Sequence, residues 1–547
     1  MHFLKVRGGF IGKSWVRLAL SGLTALAWFI IAYKVFGFRF ETNDDAGIAN
    51  IAAGAFGEDS QYLIHVNIVI GWGLKLLNFL VPGFAWYTSA SYLLLLFAFS
   101  AVGFILVEKF GFSSGGAVYL LLLITVGTDL FCRFQYTKNA AFLITSGLLL
   151  VIRRFGEMKT SFWLGTTLCL FGSMLRFDLL FPVLAVSFFV FLHLFWNLSK
   201  PDRIKAAGSL LLIAAIGSTA FGINRIAYKS DPGWDYFYRF NEARESLFDY
   251  KLQFMGPAHE YYDIGVREPE SALLKSWDIY DPEFFTTEKL NEMSAMIDRE
   301  ALLLSAFRFP TAFVSLLFGN VYVIILLFSV ALVLFERNRK KAFTALLIVA
   351  VVIAGLFSLY WLGRMIERVQ TSLTLSAALF ILVLADYSHI KKRKRYTVVP
   401  LVGAALAISM VFLIPLKQNN DYYLGSRLPT VSDFDAVRND SAHLYILSTE
   451  HFDKAMGYDV FSPRPPGYFK NMVFLGGWLI NSPYEGKTLE SFGAQNPFRD
   501  VVNNETLLLF ESTMKHEINR YINIRYDITA RLVEYSDGVY RIISEER

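Results

Sequence analysis

Apolar runs of about 20 residues recur along the chain between short polar turns, each long enough to cross a bilayer as a helix. The pattern predicts spans at 18–37, 88–108, 115–131, 139–152, 162–176, 178–196, 208–226, 311–335, 342–361, 366–386 and 396–416. The run 63–82 differs. Asn67, Gly71, Lys75 and Asn78 recur every three or four residues and draw a polar stripe along an otherwise apolar helix. That period suits a helix lying in the membrane interface rather than crossing it. Pro82-Gly83 ends the run, and Trp86-Tyr87 open the next span as an aromatic anchor.

Three longer polar stretches interrupt the spans: 38–87, 227–310 and 417–547. In the last, His443 to Leu447 reads as a strand and Met514 to Asn523 as a helix. Residues 528–535 and 538–544 form a hairpin around Ser536-Asp537-Gly538. The expected fold is an all-α polytopic membrane protein of eleven spans over 1–416, followed by a small α/β domain at 417–547.

Composition supports this class. Hydrophobic residues make up 54% of 547 positions against 18% charged, and mean hydropathy is +0.41, which no soluble domain sustains without exposing apolar surface. The net charge of +5 does not mark a nucleic-acid binder, because the basic residues cluster in short loops. Those loops hold Lys109; Arg153, Arg154 and Lys159; Lys200, Arg203 and Lys205; Arg337, Arg339, Lys340 and Lys341; and the run Lys391 to Arg395. With 63–82 left out of the span count, all fall on one side. The positive-inside rule then makes that side and the N-terminus cytoplasmic, with the three polar stretches extracytoplasmic. The first span follows Lys5, Arg7, Lys13 and Arg17, exceeds a signal-peptide core and has no small-residue cleavage site, so it reads as an anchor. Cys132 and Cys169 fall in or beside different spans and read as packing residues.

On this topology the outer face collects chemistry. Asn43-Asp44-Asp45 follows the first span. Arg133, Gln135, Tyr136 and Lys138 lie between two spans, Arg176 and Asp178 in a tight turn, and Arg364, Glu367 and Arg368 before another span. Basic groups at membrane depth cost on the order of a few kcal/mol. One reading has them snorkel to headgroups or pair with Asp178 or Glu367. The other has Arg133, Lys138, Arg176, Arg364 and Arg368 bind an anionic lipid phosphate, for which guanidinium geometry is suited. The Asp pair also reads as a cap for a helix starting near Ala46, with Asp44 the better cap and Asp45 the freer base. A carboxylate beside several cations suits sugar transfer from a lipid phosphate: the phosphate leaves readily, the cations stabilise its charge, and one carboxylate takes the acceptor proton. A glycosidase would want a second carboxyl as acid. The pair also has the chemistry to hold a divalent ion, although no His/Cys cluster or phosphate-cradling glycine loop accompanies it.

An acidic pair just after the first span, followed by His65 at the head of an amphipathic helix, resembles the first external loop of GT-C membrane glycosyltransferases. Protein O-mannosyltransferases and the aminoarabinose transferases of lipid A are examples. The resemblance implies a polyprenyl-phosphate-sugar donor, an inverting transfer to a glycan, lipid or protein acceptor of the cell envelope, and a catalytic carboxylate at Asp44 or Asp45. Where the mannosyltransferases show His-Pro-Pro, this chain has His65-Val66-Asn67. A transporter or flippase of lipid-linked saccharides is the main alternative, but it would place polar sites near the bilayer midplane and show internal repeats. A polysaccharide polymerase or ligase is a near neighbour. An assembly protein that binds cell-wall polymer would use the aromatic stretch with Trp234, Tyr236, Tyr238, His259, Tyr261, Tyr262 and Trp277. Membrane lipids are expected partners and nucleic acid is not.

The topology is open to direct test. Single cysteines at 59, 260 and 490 should react with an impermeant reagent on intact cells, and those at 339 and 393 should not. Labelling at 59 without labelling at 260 would show a wrong span count between them.

Overall fold

The computed structural model describes residues 14–153, 160–196, 198–249, 258–296, 309–311, 313–314, 320–362, 366–385, 398–425 and 432–545. Helices dominate, since a segment in lipid must satisfy its backbone groups internally. Eight described helices are long and apolar enough to cross a membrane. They are Ser14–Phe36, Trp86–Phe110, Phe112–Cys132, Phe177–Phe195, Lys200–Lys229, Arg339–Trp361, Glu367–Leu384 and Val398–Leu424. The other three expected spans appear as Tyr136–Arg153, which is buried along almost its whole length, and as the short apolar helices Thr160–Leu175 and Val321–Phe335. Positions 312 and 315–319 of the expected span 311–335 lie outside the described residues.

Small residues let this bundle close. A Cβ on Gly147 would come 2.4 Å from the Gly165 carbonyl, and one on Gly165 would come 2.5 Å from the Gly147 carbonyl. Side chains there would force apart the helices Tyr136–Arg153 and Thr160–Leu175. The helix Ile68–Leu80 shows how its polar stripe is used. Asn67 caps it and donates to the Ala220 carbonyl, Asn78 donates to Asp59, and Gly71 packs on the Gln61 carbonyl. The stripe therefore faces protein, apart from exposed Lys75, while Trp72, Leu76 and Phe79 are exposed. Polar groups find fixed partners inward and the apolar side is left for lipid.

The helix Val398–Leu424 continues through Pro415 and past residue 416, so the boundary expected at 417 falls inside a helix. Its Asn420 donates to the carbonyls of Gly37 and Cys132 and accepts from Arg39, joining three chain segments at one end of the bundle. Beyond it lies a five-stranded sheet: β3 (Leu444–Leu447), β4 (Met472–Phe474), β5 (Leu507–Phe510), β6 (Ala530–Ser536) and β7 (Val539–Ser544), ordered β4-β3-β5-β7-β6. β4, β3 and β5 run parallel, and the β6–β7 hairpin closes one edge antiparallel. The predicted strand, hairpin and helix (here Lys515–Arg525) lie where the pattern put them. β4 and β5, buried on both faces, carry no alternation.

The described part of 227–310 is bound to this sheet rather than standing free. Asp281 accepts from Tyr521 (2.6 Å), Tyr526 (2.8 Å) and Asn496 (2.9 Å). Asp278 accepts from the Thr449 amide (2.7 Å) and hydroxyl (2.8 Å) and from Ser276 (2.9 Å). Burial nevertheless pushes the Asp278 carboxyl up to about 6, against those donors. Its native pKa exceeds the unfolded one, so the native state binds the extra proton between pH about 4 and about 6, and stability falls as pH rises through that window. Wild-type protein should therefore gain about 1 kcal/mol more than Asp278→Asn when pH is lowered from 7 to 5. Unfolding followed at both pH values in detergent checks this; identical pH dependence would refute it.

Candidate active site

A two-residue parallel pairing builds the site. β1 (Arg39–Phe40) lies against β2 (Arg133–Phe134), and the Glu41 amide continues the ladder to the Phe134 carbonyl at 3.0 Å. This fixes the helix Asn43–Ala52 beside the start of Tyr136–Arg153. Thr42 occupies the N-cap without a side-chain cap bond, and both Asp44 and Asp45 lie in the first turn. The helix therefore starts earlier than expected, and Asp44 is not its cap.

Adjacent helical residues point about 100° apart, so the two carboxylates part company. Asp45 turns inward, fully buried, and accepts from the Tyr87 hydroxyl (2.9 Å) and the Tyr136 amide (3.0 Å). Burial and the neighbouring Asp44 push its pKa well up, against those donors and Arg368. Asp44 instead lines a cavity of about 1300 Å³ and lies 3.4 Å from the Arg368 guanidinium. The expectation that Asp45 is the freer base is thus reversed: its oxygens are occupied in holding the loop to the bundle.

The cavity has two kinds of wall. Leu179, Pro182, Phe221, Leu359, Val369 and Leu373, all on membrane-spanning helices or at their ends, give it an apolar lining. Tyr238, Glu242 and Glu245 of the helix Pro232–Phe248, with Trp277, Phe452 and Trp478, give it a polar and aromatic lining. Asp44, His65, Tyr136, Arg176 and Arg368 also line it. Arg176 bonds the Tyr136 hydroxyl and pairs with exposed Asp178 at 3.2 Å. Burial opposes its charge, but Tyr136, Asp178 and Glu245 prevail and its pKa is raised. His65 stacks against Tyr136 at 6.2 Å between ring centroids. Burial lowers its pKa to about 4, with Arg176 assisting and Asp44 opposing, so it is neutral at physiological pH.

Not every expected cation arrives there. Arg133 and Lys138 do not line the cavity. Both pair with Asp129 and Glu41, and Tyr322 donates to Asp129 at 2.5 Å. Lys138 and Asp129 are almost wholly buried. Two acids neutralise two bases, so this network anchors β1 and β2 to the bundle instead of offering free positive charge. Arg364 lies outside the described residues.

Arg225, Arg244 and Trp478 are among the cavity residues that escaped the sequence reading. Arg225 lies near the end of a span on the face expected to be outer, the criterion that picked out Arg176, and bonds Tyr238 and Glu242. Arg244 falls on the buried stripe Phe237, Phe240, Ala243, Leu247, where a charge is anomalous, and that is a readable signal. Trp478 gives none, since only the tertiary fold brings residues 43–52 and 478 together.

Among the described residues no group of three or more His, Cys, Asp or Glu side chains is placed to hold a metal. With Asp45 turned away, the Asp pair does not converge on one ion. No family model and no curated protein sequence matches the chain. Among solved structures it is similar to the crystal structure of ArnT from Cupriavidus metallidurans bound to undecaprenyl phosphate, at 12% identity over 98% of each chain and a TM-score of 0.38. Agreement that loose carries no weight for function, which rests on the residues of the cavity.

Proposed function

We propose that the protein is a membrane glycosyltransferase that moves a sugar from a polyprenyl-phosphate donor to a cell-envelope acceptor. The observation that carries this reading is one cavity lined by Asp44, His65, Arg176 and Arg368 together with apolar residues of spanning helices and polar and aromatic residues of the segments outside them. A lipid tail fits the apolar lining, a phosphate the cations and a sugar the polar and aromatic lining. The N-terminus and basic loops are cytoplasmic in this proposal, and the cavity opens on the opposite face.

Asp44 acts as general base on the acceptor hydroxyl. The freed oxygen attacks the anomeric carbon from the face opposite the phosphate, the bond from that carbon to the phosphate oxygen breaks, and the configuration inverts. Arg176 and Arg368 stabilise the charge gathering on the departing lipid phosphate. Phosphate needs no protonation to leave, so one accessible carboxylate suffices where a glycosidase uses two. A flippase reading finds less support, because the charged cavity residues lie where the spans end rather than at their centres.

Two substitution series test this. Asp44→Asn should lower transfer by ~10²–10⁴ with folding intact. Asp45→Ala should instead lower thermal stability by about 1–3 kcal/mol, because the Tyr87 hydroxyl and Tyr136 amide lose their acceptor. Full activity in Asp44→Asn would remove the base from this cavity. The second series concerns the phosphate. Arg176→Lys and Arg368→Lys should each weaken polyprenyl-phosphate binding about ten- to a hundredfold, the worth of a charge-assisted contact that Lys reproduces poorly. Arg133→Lys should leave affinity nearly unchanged and reduce stability. Equal affinities across all three in nanodiscs would dismiss the phosphate site.

A further inference from the structure

Trp478 follows β4 and is 5% exposed, yet its indole Nε1 has no hydrogen-bond partner. His65 Nε2 is likewise buried and unpartnered. Both residues line the cavity, and their ring centroids are 4.8 Å apart. A buried polar atom without a partner costs stability, so two of them side by side in a cavity wall need a reason.

Their position is held firmly. A Cβ on Gly47 would lie 2.3 Å from Trp478 Cζ2, so the indole edge rests where only glycine leaves room. Gly47 stands three residues after Asp44 on the same helix, and residues three apart share a helix face. Phe452 closes on the indole edge-to-face at 6.1 Å. The indole is thereby tied to the helix that carries the base.

The chemistry of the pair is specific. Indole Nε1 only donates, and a neutral imidazole offers either a lone pair or an N–H. An alkyl tail would leave both unpaired. A phosphate is better served by Arg176 and Arg368. A hydroxyl both accepts and donates, so it satisfies both nitrogens at once without carrying charge. In the glycosyltransferase reading, on which this rests, the donor's sugar is joined to the phosphate and so lies beside these cations and Asp44.

We propose that Trp478 and His65 form the hydroxyl-reading face of a subsite for the donor's glycosyl unit, so that the segment beyond the last spanning helix completes the sugar pocket. The test measures binding to nanodisc-embedded protein of undecaprenyl phosphate and of undecaprenyl phosphate linked to glucose, mannose, galactose or N-acetylglucosamine. Wild-type protein should bind at least one glycosylated lipid more tightly than the bare phosphate. Trp478→Phe keeps the ring and loses the N–H, and should reduce that sugar-dependent gain on the order of tenfold while leaving bare-phosphate affinity unchanged. His65→Phe should act in the same direction, and the bare lipid serves as the folding control for both. A gain that survives both substitutions overturns the assignment. So does wild-type binding of the bare lipid with no gain from any sugar, which leaves the phosphate site standing. Binding of no lipid at all would instead remove the glycosyltransferase reading itself.

Discussion

A carboxylate taken wholly out of water must be met by donors, and besides the Thr42 hydroxyl of its own turn Asp45 is met by two from distant parts of the chain: Tyr87 at the head of one spanning helix and the backbone amide of Tyr136 at the head of the buried helix Tyr136–Arg153. That requirement sets the direction of the whole first turn after β1. Once Asp45 points inward, helical geometry obliges Asp44 to point elsewhere, and elsewhere is the cavity. The Glu41–Lys138–Asp129–Arg133 network holds the same loop from the other side of the two-residue β1–β2 pairing. Two buried polar clusters with no ligand role in this account thus define where one accessible carboxylate stands.

Much of the architecture was legible because lipid imposes a simple rule. Backbone groups must be satisfied within the segment, so length and apolarity alone reveal Ser14–Phe36, Trp86–Phe110 and Arg339–Trp361. The β6–β7 hairpin was legible for a local reason, its Asp537-Gly538 turn, with Gly538 at positive φ. β4 and β5 were not, since they pair in parallel with β3 across long connections and are buried on both faces.

The site was half legible, and the division has a physical basis. A charge on the disfavoured side of a membrane signals that something compensates it, and the signal is the same whether the compensation is a ligand or another side chain. Arg176 and Arg368 reach the cavity, whereas Arg133 and Lys138 reach Asp129, an acid inside an apolar span. Weighing Asp129 against those two bases was the step available from sequence. Choosing between Asp44 and Asp45 was not, because it depends on Tyr136, 91 residues from Asp45 in sequence and adjacent only in the fold.

The helix Val398–Leu424 runs from the bundle to the head of the candidate site, where Asn420 near its end holds Gly37, Cys132 and Arg39 together. Pro415, where the backbone lacks one hydrogen bond, lies inside this helix and is its compliant point. The clamp on Arg39 of β1 and on Cys132 beside β2 thus hangs from a helix whose weak link lies within the spanning segment itself, so the order of the surrounding lipid bears on how firmly the turn that carries Asp44 is held.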